Sequence, residues 1–278
     1  QMGTFMREWM SLYDSKSGER GIFNRQSAKK QAAKNGRRDT EHDFGCNPCS
    51  EIILRPYQFC NLSEVVVRAS DTQQTLTNKV RLATILGTFQ STLTDFKYIR
   101  KIWQNNTEEE RLLGVSLTGI MDNMLLSGRS DHLGSNIAST LESLRDAAVD
   151  TNKDIAKKLG INQSTAITCV KPSGTVSQLV DSASGIHARH NPYYIRTVRG
   201  DNKDPLTQFL TAQGIPAEPD VMKPDSTTVF SFPMKSPDTA ITRTGMTAIE
   251  QLELWLLYQR HWCEHKPSVT ISVKEDEW

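Results

Sequence analysis

Gly45-Cys46-Asn47-Pro48-Cys49-Ser50-Glu51, followed by Phe59-Cys60-Asn61-Leu62-Ser63-Glu64, gathers thiol, amide and carboxyl side chains within a few positions. In an extended loop alternate side chains point to one side, so Asn47, Cys49 and Glu51 are expected to face one ligand while Pro48 and Ser50 face away. Cysteine supplies a nucleophile or a sulfur radical, glutamate accepts a proton, and asparagine donates and accepts hydrogen bonds without carrying charge. The competing reading is a buried turn with an unreactive cysteine, since most buried cysteines serve as small hydrophobes.

Two later stretches carry chemistry of their own. Lys171-Pro172-Ser173-Gly174-Thr175-Val176-Ser177 has the features of an anion-binding turn: a glycine that admits a close ligand, hydroxyl donors and an expected helix start. The apolar run Ala166–Val170 before it predicts a buried strand, and a helix is expected over Val176–Asp181. The Gly-x-x-x-x-Gly-Lys spacing of a P-loop is missing, so ATP hydrolysis is not implied. Ser184–Arg199 packs three arginines, two histidines and two tyrosines into sixteen residues, suited to an anionic or aromatic pocket or to an RNA-contacting patch.

Asn47-Pro-Cys-Ser-Glu51 with Cys60 eleven residues after Cys49, then Lys171–Ser177, then Gly185-Ile-His-Ala-Arg-His190 running into Asn191–Arg196, resembles in order the ribonucleotide reductases. The resemblance runs through nearly the whole chain. It is closest to the adenosylcobalamin-dependent class II enzymes of the monomeric, triphosphate-reducing type. Class I relatives place leucine where Pro48 stands, and class III enzymes lack a glutamate at the position of Glu51.

What the resemblance implies is an α/β fold, part of a ten-stranded α/β barrel with a central finger loop, over residues 1–278 as a single catalytic domain. It implies reduction of ribonucleotides, with triphosphates preferred, to 2′-deoxyribonucleotides by a thiyl-radical mechanism with adenosylcobalamin as cofactor. Cys49 resembles the radical cysteine, Glu51 the base for the 3′-hydroxyl, and Asn47 the group that holds the ribose hydroxyls. Cys60 resembles one half of a redox dithiol that thioredoxin or a similar dithiol reductant reopens. Pro172, Ser173, Gly174, Thr175 and Ser177 resemble the binding site for the substrate phosphates, and His187 and Arg189 are candidate nucleotide or cofactor contacts. The second redox cysteine of the family lies well upstream, and no cysteine precedes Cys46 here. The chain is expected to be a segment of a longer protein, without the family's N-terminal allosteric region and C-terminal redox tail. The alternative is an inactive or split nucleotide-binding fragment that needs a partner chain.

A zinc site at Cys46, Cys49 and Cys60 lacks a placed fourth ligand, and His261 and His265, four apart on an expected helix, lack a second ligand group, so no metal site is expected. Lys and Arg total 33 against 32 Asp and Glu, with a pI near 7.8, which gives no basic field to draw in a nucleic acid. The chain is 37% hydrophobic with a mean hydropathy of -0.48 and no apolar run long enough for a membrane span. Five unevenly spaced cysteines suit a reducing, cytoplasmic setting.

Apolar spacing predicts helices around Thr4–Tyr13, over Leu76–Ile102 with Val80, Ala83, Leu86, Phe89 and Leu93 facing a core, over Leu133–Leu159 ending at Gly160, and over Ala248–Trp262. Strands are expected at Ser63–Arg68, Thr227–Phe232 and Ser268–Val273. Lys29–Arg38 reads as a solvated basic stretch, Leu112–Leu126 as a buried apolar segment, and Asp201–Pro224 as a polar insertion.

Overall fold

The computed structural model describes residues 2–16, 21–129 and 136–278. Helix α1 (Met2–Ser15) buries none of its residues, whereas α2 (Arg25–Ala33), capped by Asn24, presses Ala28 and Ala32 onto Phe44 and Ile53. Next, β1 (Gly45–Cys46) and β2 (Ile53–Leu54) pair antiparallel as the two legs of a short hairpin, so residues 47–52 form its tip.

The core is a parallel sheet, β3 (Asn61–Val66), β4 (Leu113–Thr118) and β5 (Thr168–Cys169), in the order β3-β4-β5. Between β3 and β4 run α3 (Gln73–Gln90) and α4 (Lys101–Glu110), and α5 (Ile137–Leu159) precedes β5. Every residue of β4 is buried, as the central strand of a covered parallel sheet should be. Helices α3 and α5 pack on one face through Leu76, Val80, Leu141 and Leu144. After β5 come α6 (Gly174–Leu179), β6 (Tyr193–Asp201), α7 (Pro205–Ala212), β7 (Ala217–Pro219), β8 (Thr227–Lys235) and α8 (Ala248–Leu257). Strands β6, β8 and β7 make a separate antiparallel sheet. The α/β class holds, and no helix among the described residues is long and apolar enough to cross a membrane.

Four expectations are corrected. Helix α3 ends at Gln90, and its buried face is Leu76, Val80, Thr84, Gly87 and Thr88, leaving Leu86, Phe89 and Leu93 exposed. The sheet is approached through Gly87, where an added Cβ would already touch Leu113 and Ser63 at 3.5 Å. The basic stretch is not solvated throughout: Arg38 is buried and forks onto both Glu110 oxygens at 2.9 Å, with Nη1 donating to Ile53 O. Residues 268–273 form no strand, because side chains take their amides: Thr270 N donates to His187 Nε2 and Ser272 N to Gln251 Oε1. The Asp201–Pro224 insertion contains α7 and β7. Gly160 closes α5 in the left-handed region as expected (φ 67°), while residues 133–135 of the expected helix lie outside the described residues. Helix α8 continues into a wider π turn at Tyr258–Trp262, which buries Tyr258 and Trp262.

The hairpin is fastened to the sheet by the segment after that turn. Fully buried His265 accepts from Ile53 N through Nδ1 (3.3 Å) and donates from Nε2 to Leu113 O (2.9 Å), and Lys266 N donates to Glu51 O. Burial, helped by the charge of Arg38, holds the imidazole pKa down at about 3, so the neutral ring is the bonded form. A histidine depressed this far stabilises the fold fully above its unfolded pKa near 6.5, and that stability drains away as pH falls toward 3. Between pH 6.5 and 5 its share of the loss is on the order of 2 kcal/mol. Urea unfolding across this window is expected to be flatter for His265→Gln than for the parent, and equal slopes would remove His265 as the acid-labile tie.

Candidate functional site

The hairpin tip is a turn and not the extended loop expected from its alternation. Ser50 N donates to Asn47 O (2.9 Å), Ile52 N donates to Asn47 Oδ1 (3.0 Å), and Ser50 sits in the left-handed region at φ 63°. Asn47 therefore closes the tip from within, and its side-chain nitrogen is the part left to face a ligand. The turn separates its neighbours: Cys49 is exposed, whereas Glu51 is 1% exposed with both carboxyl oxygens buried and without hydrogen-bond partners. A buried carboxyl group left in that state is costly, which marks it as awaiting a donor.

Cys49 opens into a cleft of about 480 Å³ lined also by Leu62, Ser63, Glu64 and the loop Lys171–Val176. The loop follows β5 and Leu62–Glu64 belong to β3, so the cleft runs over the parallel sheet from β3 to the segment after β5. Ser173 adopts φ 52°, and its buried hydroxyl has no partner. Lys171 N donates to Ser116 Oγ on β4 (2.8 Å). Gly185, at φ 56°, packs so closely that a Cβ would lie 2.3 Å from Lys171 O, and Ser184 Oγ donates to Pro172 O. The third motif thus supports the loop from behind.

The cleft brings Cys49 together with Pro172, Ser173, Gly174 and Thr175, but not with every predicted residue. Ser177 is fully buried, and its hydroxyl donates back to Gly174 O inside α6. His187 is spent on backbone, Nδ1 donating to Ser184 O and Nε2 accepting from Thr270 N. Arg189 is buried against Asp122, with both pairs at 2.9 Å, and also binds Asp181, so it braces the fold. Cys60 lines a neighbouring cleft with Phe59, Phe96 and Tyr98, and burial pushes its thiol well up. His261 bonds Glu142 and His265 lies in the core, so the two histidines do not converge. Among the described residues no group of three or more His, Cys, Asp or Glu is placed to hold a metal. Sequence reasoning gave no role to Glu64 or to the Lys171 side chain, although both stood inside the quoted motifs.

A thiol-tipped hairpin held over a helix-covered parallel sheet, facing a hydroxyl-rich segment, fits the ribonucleotide reductase fold, an α/β barrel architecture. A B12-dependent (class II) ribonucleotide reductase superposes with a TM-score of 0.67 at 26% identity, over 84% of this chain and 35% of that one. The class Id alpha subunit of Actinobacillus ureae matches in fold alone, with a TM-score of 0.54 at 13% identity over 94% of this chain and 54% of that one. No protein-family model matches. Within that fold the chain resembles the adenosylcobalamin-dependent ribonucleoside-triphosphate reductases. It is 29% identical to that of Lactobacillus leichmannii over 94% of this chain and 39% of the relative. Against those of Euglena gracilis and Lactobacillus gasseri it is 29% and 30% identical over 92% and 84% of its length, covering 34% of each. The chain thus spans well under half the length of these relatives.

The orphaned carboxyl group makes a prediction about stability. Glu51→Leu removes two unpartnered buried oxygens at similar volume, so the unliganded protein is expected to gain about 1–3 kcal/mol in urea unfolding at neutral pH. A lowered midpoint would mean that the carboxyl is already satisfied.

Proposed function

We propose that this chain carries the catalytic centre of an adenosylcobalamin-dependent ribonucleotide reductase, with residues 1–278 read as part of one barrel domain. Its substrate would be a ribonucleotide, its product the 2′-deoxyribonucleotide for DNA precursor synthesis. The observation that carries this reading is the shared cleft: the exposed Cys49 thiol and the Pro172–Thr175 loop face one space that suits a phosphate-bearing sugar. The similarity to reductases of that name supports the cofactor and the triphosphate preference.

Cys49 at the hairpin tip is open to solvent, which fits a large cofactor approaching from outside. When bound, adenosylcobalamin would supply the hydrogen-atom abstraction that turns the Cys49 thiol into a thiyl. The sulfur then takes the ribose 3′ hydrogen. Glu51, with both oxygens unpartnered, accepts the 3′-hydroxyl proton, and the free side-chain nitrogen of Asn47 orients the hydroxyls. Ser173, Gly174 and Thr175 hold the phosphates through hydroxyls and backbone, with the Lys171 ammonium as counter-charge, while Ser177 keeps the loop in shape. The 2′-hydroxyl then leaves as water, and the two electrons come from Cys60 together with a second thiol supplied from outside these residues, the resulting disulfide being reopened by thioredoxin or a similar dithiol protein in the cytoplasm, or by dithiothreitol in the assay.

Anaerobic conversion of labelled CTP to dCTP with adenosylcobalamin and dithiothreitol tests the reading. The parent is expected to give product and Cys49→Ser none, with CTP affinity in the variant unchanged within about threefold. Product from the variant would refute the thiyl role. CTP binding without product from either protein would favour a nucleotide-binding module that needs a partner chain.

A further inference from the structure

Glu64 is the acidic residue that lines the Cys49 cleft, and neither the motifs nor the comparisons give it a role. Along β3 the burial alternates: Ser63 and Val65 are buried, Ser63 against α3 at Gly87, while Glu64 turns to the cleft. There it pairs in register with Ser116, whose hydroxyl receives the Lys171 amide. Its Oε1 is buried without a hydrogen-bond partner. Ser173 Oγ, on a residue only 7% exposed, likewise lacks a partner of normal geometry, although it stands near enough to Glu64 to favour its ionised form. Polar atoms left short of good partners on the wall of a cleft are free to meet a ligand atom there.

An ionised carboxylate here would repel a phosphate tail, with one ammonium, Lys171, left to neutralise both. A protonated carboxyl satisfies the same geometry differently, because it donates as well as accepts. Burial favours that form by raising the Glu64 pKa, against a partial pull downward from Ser173 and Lys171. We propose that Glu64 is a further ligand-contacting residue of this cleft, meeting a phosphate oxygen as a neutral carboxylic acid that donates its proton. The inference rests on the reading of the cleft as the seat of a phosphate-bearing ligand, and makes affinity for that ligand fall as pH rises.

The titratable groups that face Glu64 are Lys171, from the loop after β5, and Cys49, from the hairpin tip. Binding of CTP and of cytidine is therefore measured calorimetrically in Cys49→Ser protein with EDTA, with and without Glu64→Gln, from about pH 5.5 to about pH 9. The difference between the two CTP profiles cancels the ligand's own ionisation. At the acid end the two proteins are expected to bind CTP within about threefold, and toward the alkaline end Glu64→Gln should bind about tenfold tighter, with cytidine unaffected. Parallel CTP profiles, or loss of CTP by Glu64→Gln at every pH, would each overturn the role of Glu64 alone. Should CTP hold no advantage over cytidine in the Glu64-containing protein, the phosphate reading of the cleft falls and takes this inference with it.

Discussion

His265 joins two backbones that would otherwise be free to part, the hairpin leg at Ile53 and the central strand at Leu113. Both ring nitrogens are used and the ring is fully buried, so each bond is made out of reach of water, where losing it leaves an unsatisfied group on the other side. Arg38 reinforces the same leg from the opposite direction by donating to Ile53 O while forking onto Glu110. A two-residue-by-two-residue hairpin has little stability of its own. With its base tied by His265, Lys266 and Arg38, its tip is held in one place, and the position of Cys49 follows from that.

The strain of the site is concentrated where the anchoring ends. Ser50 and Ser173 occupy the left-handed region, on opposite sides of the cleft, although neither is glycine. Ser63, Glu64 and Ser173, each with a buried oxygen that lacks a partner, line that cleft, and Glu51, with two more, follows Cys49 by two residues. Each such feature costs free energy in the unliganded protein and persists only because the surrounding packing over-determines it. Gly114 shows how tight that packing is: a Cβ there would meet Leu62 at 2.4 Å and Ile52 at 3.1 Å. The packing behind Leu62, which lines the cleft, leaves no room to relax.

The sequence made the chemistry of the centre more legible than its supports. Cys49, Ser173 and Thr175 do meet at one cleft, because short-range spacing sets Cys49 at a hairpin tip and Ser173 and Thr175 at the start of α6. Ser177, His187 and Arg189 lie in equally suggestive motifs but serve as braces, because their partners, such as Asp122 for Arg189 and Thr270 for His187, are remote in sequence. Helix α3 failed differently. It carries two apolar stripes, and the one that faces the sheet is completed by Gly87 and two threonines, which an apolar count overlooks. Arg38 failed because a buried bidentate pair with a residue 72 positions away leaves no local signature, and a run of charges otherwise reads as solvated.

Of the three thiols in the opening motif, Cys49 and Cys60 sit in different environments. Cys49 is exposed at a tip, where a reactant can reach sulfur from outside while a ligand lies in the cleft behind it. Cys60, eleven residues on, has its thiol pushed up by burial, with Glu51 adding to the push and Arg38 opposing it. A thiol kept protonated in this way is a poor nucleophile toward a disulfide but a well-preserved source of hydrogen. The cleft lined by Phe59, Phe96 and Tyr98 is the face on which Cys60 meets the outside.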